Sequence, residues 1–293
     1  MDNRSFSIDN GNLKIKVNKM GAELASVLQL SNQYEFMWNA NPTIWNRHAP
    51  VLFPIVGKLN NNKVLINNSL YEMGQHGFAR DCDFELVYKT ETELQFLLKS
   101  NEQTLVKYPF QFELYIVYGF TNESNQLKVT YKIVNQSTTE MPFSIGAHPG
   151  FMLPIANLNE YEIDFFEGNS IERHLLADGL FNNETETLLL TNSKLNLSEE
   201  VFDKDAIVIK NCVSKTISLN HKNSNFKVSC SFNDFTDLGI WAKKGNHNFV
   251  CLEPWLGYAD ELGFEGDIET KKGIIHLPEG NSFEASYFLN FTS

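Results

Sequence analysis

Two stretches of the chain set a titratable side chain where an apolar run meets a proline. In Phe143-Ser144-Ile145-Gly146-Ala147-His148-Pro149-Gly150-Phe151 the proline removes a backbone donor and fixes φ, while the glycine permits a bend. His148 is therefore expected at the lip of a sheet, held rigidly enough to shuttle a proton near neutral pH. Farther on, the apolar run Phe249-Val250-Cys251-Leu252 ends in Glu253-Pro254-Trp255-Leu256-Gly257. Apolar neighbours there raise a carboxyl pKa toward the range of a general base, and the Trp255 ring offers a flat face to a sugar. Taken singly, each stretch also fits an ordinary strand-ending turn. A histidine and a carboxylate presented in the same way are together the minimum needed to move two protons.

Other polar groups stand beside irregular backbone. Arg47 precedes Val51-Leu52-Phe53-Pro54-Ile55-Val56, where Pro50 and Pro54 exclude a central regular strand and leave a pocket-forming segment. His76 and Arg80 follow the turn-like Met73-Gly74-Gln75; the imidazole can hydrogen-bond hydroxyls, and the guanidinium can fork onto oxygen or phosphate. Asp205 opens the apolar Ala206-Ile207-Val208-Ile209, a position that also suits a plain turn residue.

With Arg47-His48-Ala49-Pro50-Val51-Leu52-Phe53-Pro54-Ile55-Val56-Gly57 and Gly74-Gln75-His76-Gly77-Phe78-Ala79-Arg80 added to the two stretches above, the chain resembles the aldose 1-epimerases (galactose mutarotase-like proteins) over nearly its whole length. It is most similar to their bacterial mutarotase-related branch, typified by the LacX proteins. The resemblance implies an all-β fold, a large antiparallel β-supersandwich. It implies anomer interconversion of a hexose with Glu253 as base, His148 as acid, and neither metal nor organic cofactor. It also implies that His76 binds substrate beside that pair, with Arg47 and Arg80 in the same region, and that an aspartate contacts the sugar. Asp205 is the nearest match for the aspartate, with Asp234 and Asp237 as alternatives. Where true galactose mutarotases carry an Asn-Arg pair, this chain has Val56-Gly57-Lys58-Leu59, which leaves the sugar open. A hexose-6-phosphate mutarotase, suggested by Arg47, Lys58 and Arg80, and a carbohydrate-binding sandwich without turnover are the alternative readings.

The elements that must position these groups read as strands. Leu13–Val17, Leu127–Val134 and Phe226–Phe232 alternate apolar with polar residues, whereas Phe84–Tyr88 and Phe112–Tyr118 turn apolar on both faces, as deeply buried strands do. The polar tract Asn182-Asn183-Glu184-Thr185-Glu186-Thr187 reads as a loop. No long helical stripe, composition break or repeat is present, so residues 1–293 are expected to form a single domain.

Composition narrows the partners. A net charge of −12 over 293 residues argues against nucleic acid and anionic membranes. The partner that the resemblance implies is a small sugar, with the protein a monomer or homodimer. The start, Met1 to Asp9, lacks a signal-peptide core and no apolar window of membrane-spanning length occurs, so a cytoplasmic location is expected. Cys82, Cys212, Cys230 and Cys251 form no C-x-x-C pair and read as free thiols. Walker, dinucleotide, G-x-S-x-G and H-E-x-x-H motifs are absent, and no H-x-H pair suggests a metal.

Overall fold

In the computed structural model, which describes residues 4–245 and 248–293, the alternating stretches are strands. The first three residues of the stretch read for a targeting signal lie outside the described residues. Among the described residues the pairings between strands are antiparallel. One sheet has nine strands, ordered Lys194–Asn196, Tyr161–Asp164, Thr216–His221, Lys227–Ser231, Ser282–Thr292, Gln126–Asn135, Phe112–Phe120, Glu93–Lys99 and Glu85–Lys89. A second runs Leu180–Leu189, Ser170–Ala177, Ile207–Ile209, Asp237–Trp241, Phe249–Leu256, Ile145–Ala147 and Val51–Leu52, with Gly150–Met152 also paired to Phe249–Leu256 as its eighth strand. Four N-terminal strands form a third sheet. This is the antiparallel β-supersandwich that the resemblance implies.

One continuous core joins the sheets. Val129, Tyr131 and Ile133 from the nine-stranded sheet, Ile15 and Val17 from the N-terminal one, and Leu238, Ile240, Val250 and Leu252 from the eight-stranded one belong to a single buried cluster. The alternate residues Val208, Trp255, Phe249 and Cys251 pack in two smaller clusters on the other face of the eight-stranded sheet. With both faces covered, Phe249–Leu256 is buried at every position, which is why its sequence reads as an unbroken apolar run.

Three local expectations are corrected. Asn182 to Thr187 lie within the strand Leu180–Leu189, not in a loop. That strand is the sheet edge: beyond Phe181, which also bonds to Asp260 and Leu262, it pairs with Ser170–Ala177 alone, so water reaches it and polar side chains suit it. Glu85–Lys89 is likewise an edge strand, with Val87 and Tyr88 exposed instead of deeply buried. Phe112–Phe120 alternates buried and half-buried positions, since only one of its faces meets the core. The expected short, irregular element between Pro50 and Pro54 is present as the two-residue strand Val51–Leu52. Among the described residues no helix is long and apolar enough to cross a membrane, and all four cysteines are free.

Candidate active site

Strand register brings the two proline-marked stretches together. Gly146 lies opposite Trp255, and Gly150 opposite Cys251. These pairings share one register across the His148-Pro149 interruption, so His148 falls opposite Glu253. Opposed residues of an antiparallel pair project from the same face. His148 Nε2 accordingly lies 3.3 Å from Glu253 Oε2. Glu253 is not at a strand end, as its sequence suggested, but inside Phe249–Leu256 with Pro254 also within the strand. Pro254 cannot donate to the facing Ala147 carbonyl; the Trp255 indole Nε1 does so at 3.2 Å, and the strand continues.

Missing side chains shape the floor. A Cβ on Gly239 would stand 2.5 Å from the Trp255 ring, and one on Gly146 2.7 Å from it. The indole thus lies flat across the strands flanking its own. A Cβ on Gly150 would meet the Trp45 ring at 2.8 Å. Trp45 in turn lies 5.0 Å from the His148 ring, while Trp241 and His76 approach that ring edge-on at 5.6 Å each.

Glu253 is 1% exposed and His148 9%. Burial pushes the Glu253 carboxyl well above the usual carboxylate range, with Asp205 adding to the effect. Burial likewise pushes the His148 imidazole down to about 3, with the Arg80 charge acting in the same direction. Burial therefore favours the neutral form of both groups.

His76 is fixed by a reciprocal pair of bonds. Its backbone N–H donates to the Gly57 carbonyl at 2.8 Å, and the Gly57 N–H donates to His76 Nδ1 at 3.1 Å. The second bond makes Nδ1 an acceptor and puts the proton of the neutral ring on Nε2. Burial, then the nearby His148 and Arg80, hold the His76 pKa well below the ordinary value, which keeps that tautomer neutral. His76 adopts φ 66°, a left-handed conformation unusual for a residue with a side chain, and this exchange of bonds supports it.

A cavity of about 380 Å³ opens above the floor, lined by His148, Glu253, His76, Arg80, Asp205 and Trp255 among others. The volume falls in the range of about 300–1,000 Å³ usual for small-molecule pockets. Five of the six residues singled out from sequence thus border one space, and Arg47 does not. Arg47 supports the wall instead, donating from Nη1 to the Arg80 carbonyl at 3.1 Å and pairing with Asp81 at 2.6 Å. Of the three candidate aspartates only Asp205 reaches the cavity. Asp234 accepts from the Ser286 amide in the opposite sheet, and Asp237 accepts from the Asn211 amide and the Thr236 hydroxyl.

Several contributors escaped the sequence reading. The buried Arg173 donates to the Val201 and Asp205 carbonyls at 2.9 and 2.7 Å and so fixes the turn that presents Asp205. Trp45, Trp241 and Lys243 also line the cavity. Only Trp241 left a trace, since it alternates in phase with Asp237 and Gly239 on its strand. Lys58 is tied by two 2.9 Å bonds to Asp178, at the hairpin turn whose Gly179 borders the cavity.

The aldose 1-epimerase family model matches residues 4–275. The chromosomally encoded protein LacX of Lactococcus lactis subsp. lactis is 30% identical, covering 97% of this chain and 98% of its own. A galactose mutarotase related enzyme from Lactobacillus acidophilus superposes with a TM-score of 0.94 at 38% identity, covering 99% of this chain and 97% of its own. A galactose mutarotase-like protein from Lactobacillus casei gives 0.92 at 28% identity, covering 98% of this chain and 100% of its own.

Proposed function

The chain belongs to the aldose 1-epimerase family, in its LacX-like, mutarotase-related branch, and from that membership we propose that it interconverts the α and β anomers of a free hexose by general acid–base catalysis. The observation that carries this reading is the contact of His148 Nε2 with Glu253 Oε2 at 3.3 Å on the floor of the cavity. One group takes the proton from the C1 hydroxyl while the other protonates the ring oxygen; the ring opens to the aldehyde, C1 rotates, and closure on the other face reverses both transfers. The pair needs one proton in total, and the neutral carboxyl and neutral imidazole that burial favours carry one between them. In the sugar complex Glu253 is the base and His148 the acid. Contact with the C1 hydroxyl favours the carboxylate, and the proton passes across the 3.3 Å gap to the imidazole. Trp255 carries the apolar face of the sugar, His76 Nε2–H and Arg80 donate to its oxygens, and Asp205 accepts from a hydroxyl.

His148→Asn and Glu253→Gln are each expected to lower kcat on the order of a hundredfold or more with the fold intact. Polarimetry on freshly dissolved α-glucose or α-galactose, with circular dichroism as the control, measures this. Turnover near the wild-type rate in either variant would overturn the assignment.

A further inference from the structure

The proton-transfer pair has a third neighbour of different chemistry. Cys251 lies two residues before Glu253 on the same strand, so both side chains project from one face. The residue facing it is Gly150, and the Trp45 ring packs over that glycine, 2.8 Å from where its Cβ would stand. Cys251 Sγ, a ring nitrogen of His148 and a carboxylate oxygen of Glu253 all lie within 4.8 Å of one another. Glu253 Oε2 and His148 Nδ1 are moreover buried without a hydrogen-bond partner, although Oε2 touches His148 Nε2.

We propose that this trio is a binding site for a zinc-class divalent cation, which occupies the catalytic pair and switches turnover off. Tetrahedral zinc with bonds of about 2.0–2.3 Å sets its ligand atoms about 3.3–3.8 Å apart. The 3.3 Å between His148 Nε2 and Glu253 Oε2 already matches one edge of that figure. The sulfur closes the remainder by small side-chain rotations, and solvent supplies the fourth ligand. One thiolate, one imidazole and one carboxylate select zinc or cobalt over magnesium or calcium, which take oxygen ligands. Charge also balances: a dication with one thiolate, one carboxylate and a neutral imidazole leaves no net charge in a buried place. The ligands bind in their deprotonated forms, so binding is expected to release protons. The field of a chain at −12 draws cations toward it.

The binding claim stands on this geometry alone, whereas the loss of turnover rests on the proposed mutarotase function, and the experiment separates the two. The whole chain is titrated with Co²⁺. A sulfur-to-cobalt charge-transfer band and tetrahedral d–d bands are expected at one equivalent, and both vanish when Zn²⁺ displaces the cobalt. Cys251→Ser and Cys251→Ala should each lose the charge-transfer band and bind zinc at least about tenfold more weakly. Two variants are used because a hydroxyl and a small void disturb the packing differently, and circular dichroism checks each fold. Absence of the band in the wild type, or unchanged zinc affinity in the folded variants, overturns the site. In a polarimetric assay Zn²⁺ should inhibit the wild type in competition with the sugar, and EDTA should restore the rate. Both cysteine variants should turn over normally and resist zinc by a similar factor. Activity lost in EDTA and regained with zinc would overturn the inhibitory role. If no aldose is turned over, the proposed function fails while the cobalt titration still decides the site.

Discussion

A carboxyl that is 1% exposed and lacks a hydrogen-bond partner on one oxygen costs the fold stability whenever it must ionise. Burial raises the Glu253 pKa, so the folded state holds a proton that the unfolded chain has already released. Stability therefore falls as pH rises above the unfolded value of about 4.5, by up to about 1.4 kcal/mol per pH unit until the folded group ionises as well. Glu253→Gln removes this cost while abolishing turnover. Its Tm is expected to exceed the wild-type value at about pH 8, and the gain should shrink to nothing near pH 4. Equal or lower Tm at the higher pH would contradict a carboxyl that burial holds against ionisation. The same burial bears on the pH profile: with His148 down at about 3, kcat/KM should show no acid limb at the ordinary histidine value. An acid limb near the ordinary histidine value would show that the resting imidazole is charged. At this scale the sequence was readable where a proline marked the place, as at His148 and Glu253. It was silent for Trp45 and Lys243, whose positions are set by how distant segments fold over the sheet.

Strands bring these residues together, and their register does more than their individual propensities. His148 meets Glu253 because the pairing on either side of the Pro149 interruption keeps one register, and a slip of one residue would turn Glu253 into the sandwich core. Glycines hold the floor level. Gly239→Ala would put a methyl where the Trp255 ring now lies, 2.5 Å from its atoms, and the rigid indole must tilt. The expected result is a loss of about 1–3 kcal/mol in stability together with a raised KM, since the tilted ring no longer carries the sugar. An unchanged Tm and KM would show that Trp255 is not held by this contact. Element existence was legible from alternation in Leu13–Val17 and Leu127–Val134. The polar tract of the edge strand Leu180–Leu189 was not, because a stretch paired on one side and largely exposed carries the composition of a loop. The interior position of Glu253 was hidden for the opposite reason: a proline normally ends a strand, whereas here the Trp255 indole donates to the Ala147 carbonyl facing Pro254 and the strand continues.

Over the whole molecule, the fold was recognisable from motifs spread along the chain, whereas the choice of substrate depends on charges whose partners only the folded structure reveals. Of the three cations that pointed toward a phosphate, Lys58 is tied to Asp178 and Arg47 to Asp81, and neither lines the cavity. Arg80 does line it, but its Nη2 already donates to the Gln75 carbonyl at 2.7 Å. Among the described residues Lys243 is the other cation on the lining, and Glu253 and Asp205 bring carboxyl groups to the same space. The field outside is that of a chain at −12. A 6-phosphate, at roughly two negative charges near neutral pH, therefore meets general repulsion and few uncommitted cations, whereas a free hexose pays no such penalty. The free aldose is expected to have the higher kcat/KM, changing by less than about twofold as salt screens the surface. Arg80→Ala should slow turnover without altering the preference, since the free sugar also uses that guanidinium. Faster turnover of the 6-phosphate, falling steeply with salt and losing its advantage in Arg80→Ala or Lys243→Ala, would move the assignment to a hexose-6-phosphate mutarotase.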